Sequence, residues 1–226
     1  MNASEVIDAF RTEVVDTAEP YFWSATEVWR YLNDAYRMFV RLTGGVADFT
    51  SSAASVPIIT GDPIGVLDKS ILRIMSASRR SDGGEIEIVN HTDLGKQVSR
   101  DYGVVSSLRL DNTVGMVRFG VIGMQRDIIR WIHVPAEDDV AELVIRRLPL
   151  STLVDDSDEL SDVEEAHHIA LLLWMKYLAY SKQDADTYDK DRWMESKALF
   201  EGYCSIAKAE AERYKHKNRA VAYGGL

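Results

Sequence analysis

A single cysteine, Cys204, stands in a chain of 226 residues. One thiol excludes an intramolecular disulfide and any zinc site built on cysteine. A chain this long buries a core that needs no such staple. Long apolar runs are also missing. The longest, Ile169 to Met175, falls far short of the roughly 20 residues that cross a bilayer. Basic residues are in deficit, 26 Lys and Arg against 36 Asp and Glu, for a formal charge of −10. That sign excludes a protein whose main business is gripping nucleic-acid phosphates, which takes a basic face that releases counterions. Asn2, Glu5 and Asp8 stand where a secretory leader would carry basic and then apolar residues, so a cytosolic product is expected. The 46% hydrophobic and 27% charged content is that of a soluble globular protein and excludes disorder as its main state.

What is present divides by hydrophobic period. Val6, Ala9, Phe10 and Val14 recur at helical spacing and predict a first helix ending near Asp16. Beyond Pro20, Ser24-Ala25-Thr26-Glu27 is a capping box that opens a second helix. Val28, Leu32, Ala35, Phe39 and Leu42 form its stripe, and Gly44-Gly45 close it, since glycine takes the left-handed conformation of a C-cap.

From Ser52 to Leu150 the period is two. Ser55 to Ile59 leads into a turn at Gly61-Asp62-Pro63, and Ile71 to Met75 and Glu85 to Val89 flank Ser81-Asp82-Gly83-Gly84 as a hairpin. Val114 to Gly123 and Asp127 to His133 are expected as two strands, and Ala141 to Leu148 as another that ends at Pro149. His91 to Leu94 is expected as a short helix between strands. Short strands in this number predict an antiparallel, sandwich-like β-domain. Gly115, Gly120 and Gly123, lying in or beside strands, read as bulges or close contacts.

Acids then crowd the segment 155–165, and Ser161-Asp162-Val163-Glu164 reads as a second capping box, its carboxylates suited to a helix N-terminus. The helix it opens, expected to reach Lys182, is apolar on most of its circumference and needs cover on several sides. A last helix starts near Asp189 or Asp191 with the seam Trp193, Phe200, Tyr203, Ala207, Ala211 and Tyr214. Neither pair of helices buries its stripes alone. The expected fold is therefore α+β: a helical bundle built from both chain termini, residues 1–50 and 151–216, with residues 51–150 inserted as the β-domain and 217–226 as a tail.

Chemistry is sparse. Glu164, Glu165, His167 and His168 make two overlapping Glu-x-x-His pairs of the kind helical di-iron proteins use, but such sites need the motif twice and two further carboxylates. No Gly-x-Ser-x-Gly elbow, phosphate-binding Gly-rich loop or His-Glu-x-x-His occurs. Cys204 reads as a buried small residue. No catalytic residue, metal ligand or cofactor is assigned, and an enzyme is not expected. Arg73, Arg79, Arg80, Arg118, Arg126, Arg130, Arg146 and Arg147 read as solvated strand faces and subunit salt bridges. Arg213, Lys215, Lys217 and Arg219 crowd the C-terminus, where Ala220-Val221-Ala222-Tyr223 follows as an arm that orders on a partner.

Three stretches carry a family resemblance. Trp29-Arg30-Tyr31-Leu32-Asn33-Asp34-Ala35-Tyr36 is closed by Leu42-Thr43-Gly44-Gly45. Pro135-Ala136-Glu137-Asp138-Asp139 runs into Leu143-Val144-Ile145-Arg146-Arg147-Leu148-Pro149. His167-His168-Ile169-Ala170-Leu171 is followed by Ala179 to Asp186, with Asp184 and Asp186 in the pattern, and then by Phe200. In order and spacing the chain resembles the head-to-tail adaptor proteins of short-tailed bacteriophages, the group that includes tail tubular protein A.

The resemblance implies a homo-oligomeric ring, in that family commonly of twelve subunits, docked under the portal protein. It implies helical parts packed side by side around a channel, a β-domain turned outward or toward the tail nozzle or tail tube protein, and a C-terminal segment reaching the portal. On that reading Arg219, Val221, Tyr223 and Leu226 dock on the portal. Double-stranded DNA passes through without specific binding, an acidic conduit repelling its cargo. The place is the head-tail junction of the virion, assembled in the host bacterial cytoplasm, and no membrane is involved. Two other readings stand beside it: a metal-dependent bundle enzyme using Glu164, Glu165, His167 and His168, and a soluble module whose β-insert holds a sugar or a peptide.

Overall fold

In the computed structural model, the described residues are 1–95, 97–99, 105–107, 109–183 and 187–216. The chain forms two compact units, Met1–Val46 with Leu148–Leu226, and Ala47–Arg147. The fold class is α+β, with four α-helices and several sheets among the described residues.

The first unit is helical. Helix α1 spans Ala3–Glu13 and is opened by an Asn2–Glu5 capping box. It stops short of Asp16, where a longer helix was expected, because Val15 takes a positive φ of 59° and Asp16 turns inward. That buried carboxylate accepts from Arg11 Nη1 at 2.7 Å and from the Phe22 amide at 2.8 Å, so the chain is held in a tight connection to α2.

Helix α2, Ala25–Thr43, has the Ser24–Glu27 capping box in both directions, and Gly44 takes φ 97° at its C-cap. Val28, Leu32, Ala35 and Phe39 are buried, and Tyr31, Tyr36 and Val40 widen the stripe. Each such apolar side chain contributes about 1.5–3 kcal/mol by leaving water. Leu42 does not join them; it is 38% exposed.

Helix α3 covers His168–Ser181. The Ser161 capping box is not formed. Leu160 and Val163 are buried in the core, the Val163 amide donates to Leu160 O at 3.0 Å, and the Asp162 amide donates to the Tyr36 hydroxyl at 2.9 Å. These tertiary contacts hold the segment in a turn. One 3-10 turn at Glu165–His167 then precedes the α-helix. Helices α1, α2 and α4 cover most of the greasy circumference of α3, with Ile169 left exposed.

Helix α4, Lys190–His216, buries Ser196, Phe200, Cys204 and Ala207, with Trp193 and Tyr203 packed at the core's edge. Its seam is shorter than expected, since Ala211 is exposed. Phe200 lies 4.9 Å from Trp174 and 6.3 Å from Phe39, ring to ring, joining α2, α3 and α4.

The second unit contains β1 (Val46–Asp48), β2 (Ser55–Ile58), β3 (Ile64–Val66), β4 (Ile71–Arg79), β5 (Glu87–Asn90), β6 (Gln97–Ser99), β7 (Val105–Ser107), β8 (Val114–Gly115), β9 (Phe119–Ile122), β10 (Ile128–Trp131), β11 (Val134–Pro135) and β12 (Asp139–Arg147). The expected helix after β5 is a 3-10 turn, His91–Asp93. In the first sheet β12 pairs with β1, β2 and β4. Its alternation places Ala141, Leu143 and Ile145 inside, against Ala77 and Ile74 of β4. The second sheet runs β3-β10-β9-β5. One core joins both sheets, with Val56, Ile58, Leu143 and Ile145 meeting Ile129 and Trp131.

Among the described strands β5 pairs with β9 and β8 with β11 in parallel, in a unit expected to be antiparallel. The turn after β4 does reverse the chain, and Ser78 bridges Glu85. Past that point β5 leaves β4 and joins β9, after a connection long enough for a parallel crossover. Gly120 has the expected close contact: a Cβ there would sit 2.6 Å from Ile129 Cδ1 and 3.1 Å from Trp131.

Candidate functional site

The residues singled out around Trp29 build one joint. Leu32 and Ala35 are fully buried and Tyr31 nearly so, while Trp29 packs at the core's margin. Asn33 is different in kind. Its Nδ2 donates to Leu153 O at 2.9 Å and to Trp29 O at 3.0 Å, and its Oδ1 accepts from the Leu153 amide at 2.8 Å. The side-chain amide thus reads the backbone of Leu153 as a strand would, tying α2 to the segment that begins at the buried Pro149. Gly44 and Gly45 both have positive φ, and the Gly45 amide donates to Val40 O at 2.8 Å.

Asp184, Asp186, Arg219, Val221, Tyr223 and Leu226 lie outside the described residues.

The four residues of the metal reading are not brought together. Glu164 and Glu165 carry side chains 87% and 83% exposed. His167 Nδ1 meets the Tyr203 hydroxyl at 3.0 Å, in the aromatic group with Phe39. His168 is buried and its Nε2 donates to Val163 O at 2.9 Å. Among the described residues no group of three His, Cys, Asp or Glu side chains is placed to hold a metal ion. Glu164 Oε2 comes within 4.0 Å of His167 Nε2 across the 3-10 turn, but the His168 ring is buried with its Nε2 on the Val163 carbonyl, so the four side chains do not converge. Cys204 is buried on α4, and burial pushes its thiol up to about 12. A thiol so far from ionising is a packing residue, not a nucleophile.

In the β unit, Arg79, Arg80, Arg126, Arg130 and Arg147, all read as strand-face cations, have partners within the chain. Arg79 forks onto Asp82 at 3.0 and 2.8 Å and donates to Val117 O. Arg80 meets Glu142 at 2.7 Å, and Arg147 meets Asp48. Arg73 and Arg118 are exposed. The Pro135–Asp139 run lines a shallow cleft of about 250 Å³ with Ile58, Arg79 and Met116. Its carboxylates hold neighbouring loops: Asp138 accepts from the Thr60 amide at 2.7 Å and hydroxyl at 2.8 Å, and Asp139 from the Ser81 hydroxyl at 2.7 Å. The Thr60 amide is the main cause holding Asp138 below the usual carboxylate range.

The geometry therefore gives joints and surfaces. Comparison with known proteins agrees in kind. The protein-family model described as SU10 adaptor protein matches residues 1–220. The chain belongs to the SU10 adaptor protein family. This is a family of phage head-to-tail adaptors, so the chain is a structural component of a phage particle, with the contacts to portal and tail proteins and the self-association that an adaptor implies. A structural adaptor is not an enzyme. No curated protein matches the sequence. Among the described residues no helix is long and apolar enough to cross a membrane.

Proposed function

We propose that this SU10-type adaptor forms a closed ring of about twelve copies beneath the portal, joining the filled capsid to the tail nozzle or tail tube and letting double-stranded DNA out through its centre. The observation that carries the reading is the family match over residues 1–220. Each unit then serves as a domain. The helical one supplies the body of the ring, and the β unit is turned outward or toward the tail.

The charge of −10 supports the conduit. A channel for a polyanion works best when it repels its cargo, since every basic contact adds salt-sensitive affinity and friction. The C-terminal arm, with Arg219, Val221, Tyr223 and Leu226, is the portal-docking element in this reading, and assembly takes place in the bacterial cytoplasm. Electron microscopy of the purified protein mixed with the portal of the same phage tests it. A ring of density added coaxially under the portal is the expected result. Free adaptor beside undecorated portals overturns the proposal.

A further inference from the structure

The start of α1, the loop before α3 and the first residue of α3 enclose a cleft of about 470 Å³ whose charged lining is Glu5, Glu159 and Glu165. One cation already sits there. The Met1 ammonium lies 3.4 Å from Glu165 and 3.9 Å from Glu5. Three carboxylates against one ammonium leave the cleft negative.

His168 forms part of its wall and is only 5% exposed. Its Nε2 donates to Val163 O, and Nδ1 is the other polar atom of the ring. That nitrogen is buried without a partner. Buried polar atoms in native proteins find hydrogen-bond partners, so this wall of the cleft is incomplete in the single chain. A metal ion does not fit, because the ligating side chains do not converge. Acceptors spread over a wall suit a planar group with several N–H donors, and the guanidinium has five in a fixed fork.

The same chain carries such groups on another surface. Arg30, Arg37 and Arg41 are exposed along the outer side of α2, at spacings that place them on one face. Arg30 lies over the Tyr31 ring at 5.5 Å. Arg37 and Arg41, one turn apart, form no ion pair among the described residues and repel each other in the isolated chain.

We propose that the Glu5–Glu159–Glu165 cleft receives a guanidinium from the Arg37–Arg41 pair of a second copy of this chain. A cleft on one copy and a stripe on the next make a heterologous contact, which repeats and closes into a ring when its rotation fits. The inference deepens the adaptor reading and rests on it for self-association.

The test uses the full-length protein on a Cys204→Ala background. Glu165→Cys in one preparation is mixed with Arg37→Cys or Arg41→Cys in another and treated with a short bis-maleimide. Cross-linking about tenfold above an unrelated exposed pair, Glu165→Cys with Glu201→Cys, is expected. In parallel, Arg37→Glu/Arg41→Glu and Glu159→Lys/Glu165→Lys each lower self-association at least about tenfold by sedimentation, and all four changes in one chain recover it to within about threefold.

Cross-linking at the control level, or association indifferent to charge reversal with an unchanged melting temperature, overturns the contact. Rings that still form on the portal in that case leave the adaptor role standing. A specific cross-link in a protein that ignores its portal upholds the contact and overturns the adaptor role.

Discussion

Asp48 and Arg147 are ion-paired through Oδ2 and Nε, their side chains 5% and 11% exposed. They lie at the two ends of the β unit, where the chain enters at Ala47 and leaves at Arg147. The pair therefore ties the entering strand β1 to the leaving strand β12, and Asp48 also accepts from the Thr50 and Ser51 amides at 2.9 and 3.1 Å.

Burial alone would raise the Asp48 carboxyl, but the hydrogen bonds from Ser51, then Arg147, and then the Thr50 amide outweigh it and hold it far below the usual carboxylate range. A carboxyl depressed in the folded state stabilises fully above its unfolded pKa, and that stability fades as the pH falls below it. Asp48→Ala is expected to cost about 3 kcal/mol, because it breaks a buried ion pair and takes the acceptor from the Thr50 and Ser51 amides. Asp48→Ala/Arg147→Met recovers most of that loss. Urea unfolding followed by tryptophan fluorescence measures both, and a double variant no better than the single would contradict the clamp.

Glu27 gives a second, sharper pH window. Chiefly through the Lys182 hydrogen bond, and then through the Ser24 amide, its pKa falls from 4.5 to about 2. Lys182 Nζ lies 2.9 Å from Glu27 Oε1. The stabilisation is complete above pH 4.5 and is lost as the pH falls from there toward 2. Glu27→Gln is expected to cost about 0.5 kcal/mol at neutral pH, since a partly exposed ion pair is lost while the amide oxygen still closes the capping box. Its unfolding curves should converge on those of the native sequence at the acid end of that window.

Asn33→Ala removes both bonds to Leu153. Two backbone groups lose their partners, at an expected cost of about 2–3 kcal/mol. Asn33→Asp keeps the acceptor for the Leu153 amide but sets a carboxylate against the Leu153 carbonyl, so it should rescue little. Limited proteolysis between residues 150 and 160 should quicken in both variants. Cleavage at the native rate would show that the joint is held from elsewhere.

These three sites differ in how far the sequence announced them. Helix α2 was legible because its signals are local: the Ser24–Glu27 box, a stripe of period 3.6 and Gly44 all act within one turn of where they stand. The alternation of β12 was legible for the same reason. The start of α3 was not, since Leu160 and Val163 are drawn into a core made by other helices, and burial beat a capping signal worth about 1 kcal/mol. Nor was the pairing of β5 with β9, because a period of two tells which side chains share a face and says nothing of the neighbouring strand. Asn33 stood in a recognisable run, yet its partner lies 120 residues away. The acidic cleft needs Glu5, Glu159 and Glu165 brought together by folding, and no spacing in the chain encodes that.

The C-terminal arm supplies the last test. Ala220 to Tyr223 are apolar or aromatic and follow a basic stretch, a composition that pairs electrostatic attraction with apolar contact on a partner surface. An arm that orders only on a partner adds nothing to the isolated fold, so deleting Asn218 to Leu226 should leave the melting temperature and the helical circular dichroism unchanged. Co-sedimentation with portal should fall by about tenfold or more, which is about 1.4 kcal/mol of lost contact. Tyr223→Ala should give part of that loss, and Arg219→Ala a loss that shrinks as salt is raised, since an exposed charge is screened and an apolar anchor is not. Undiminished binding by the truncated chain would move portal docking onto the folded units.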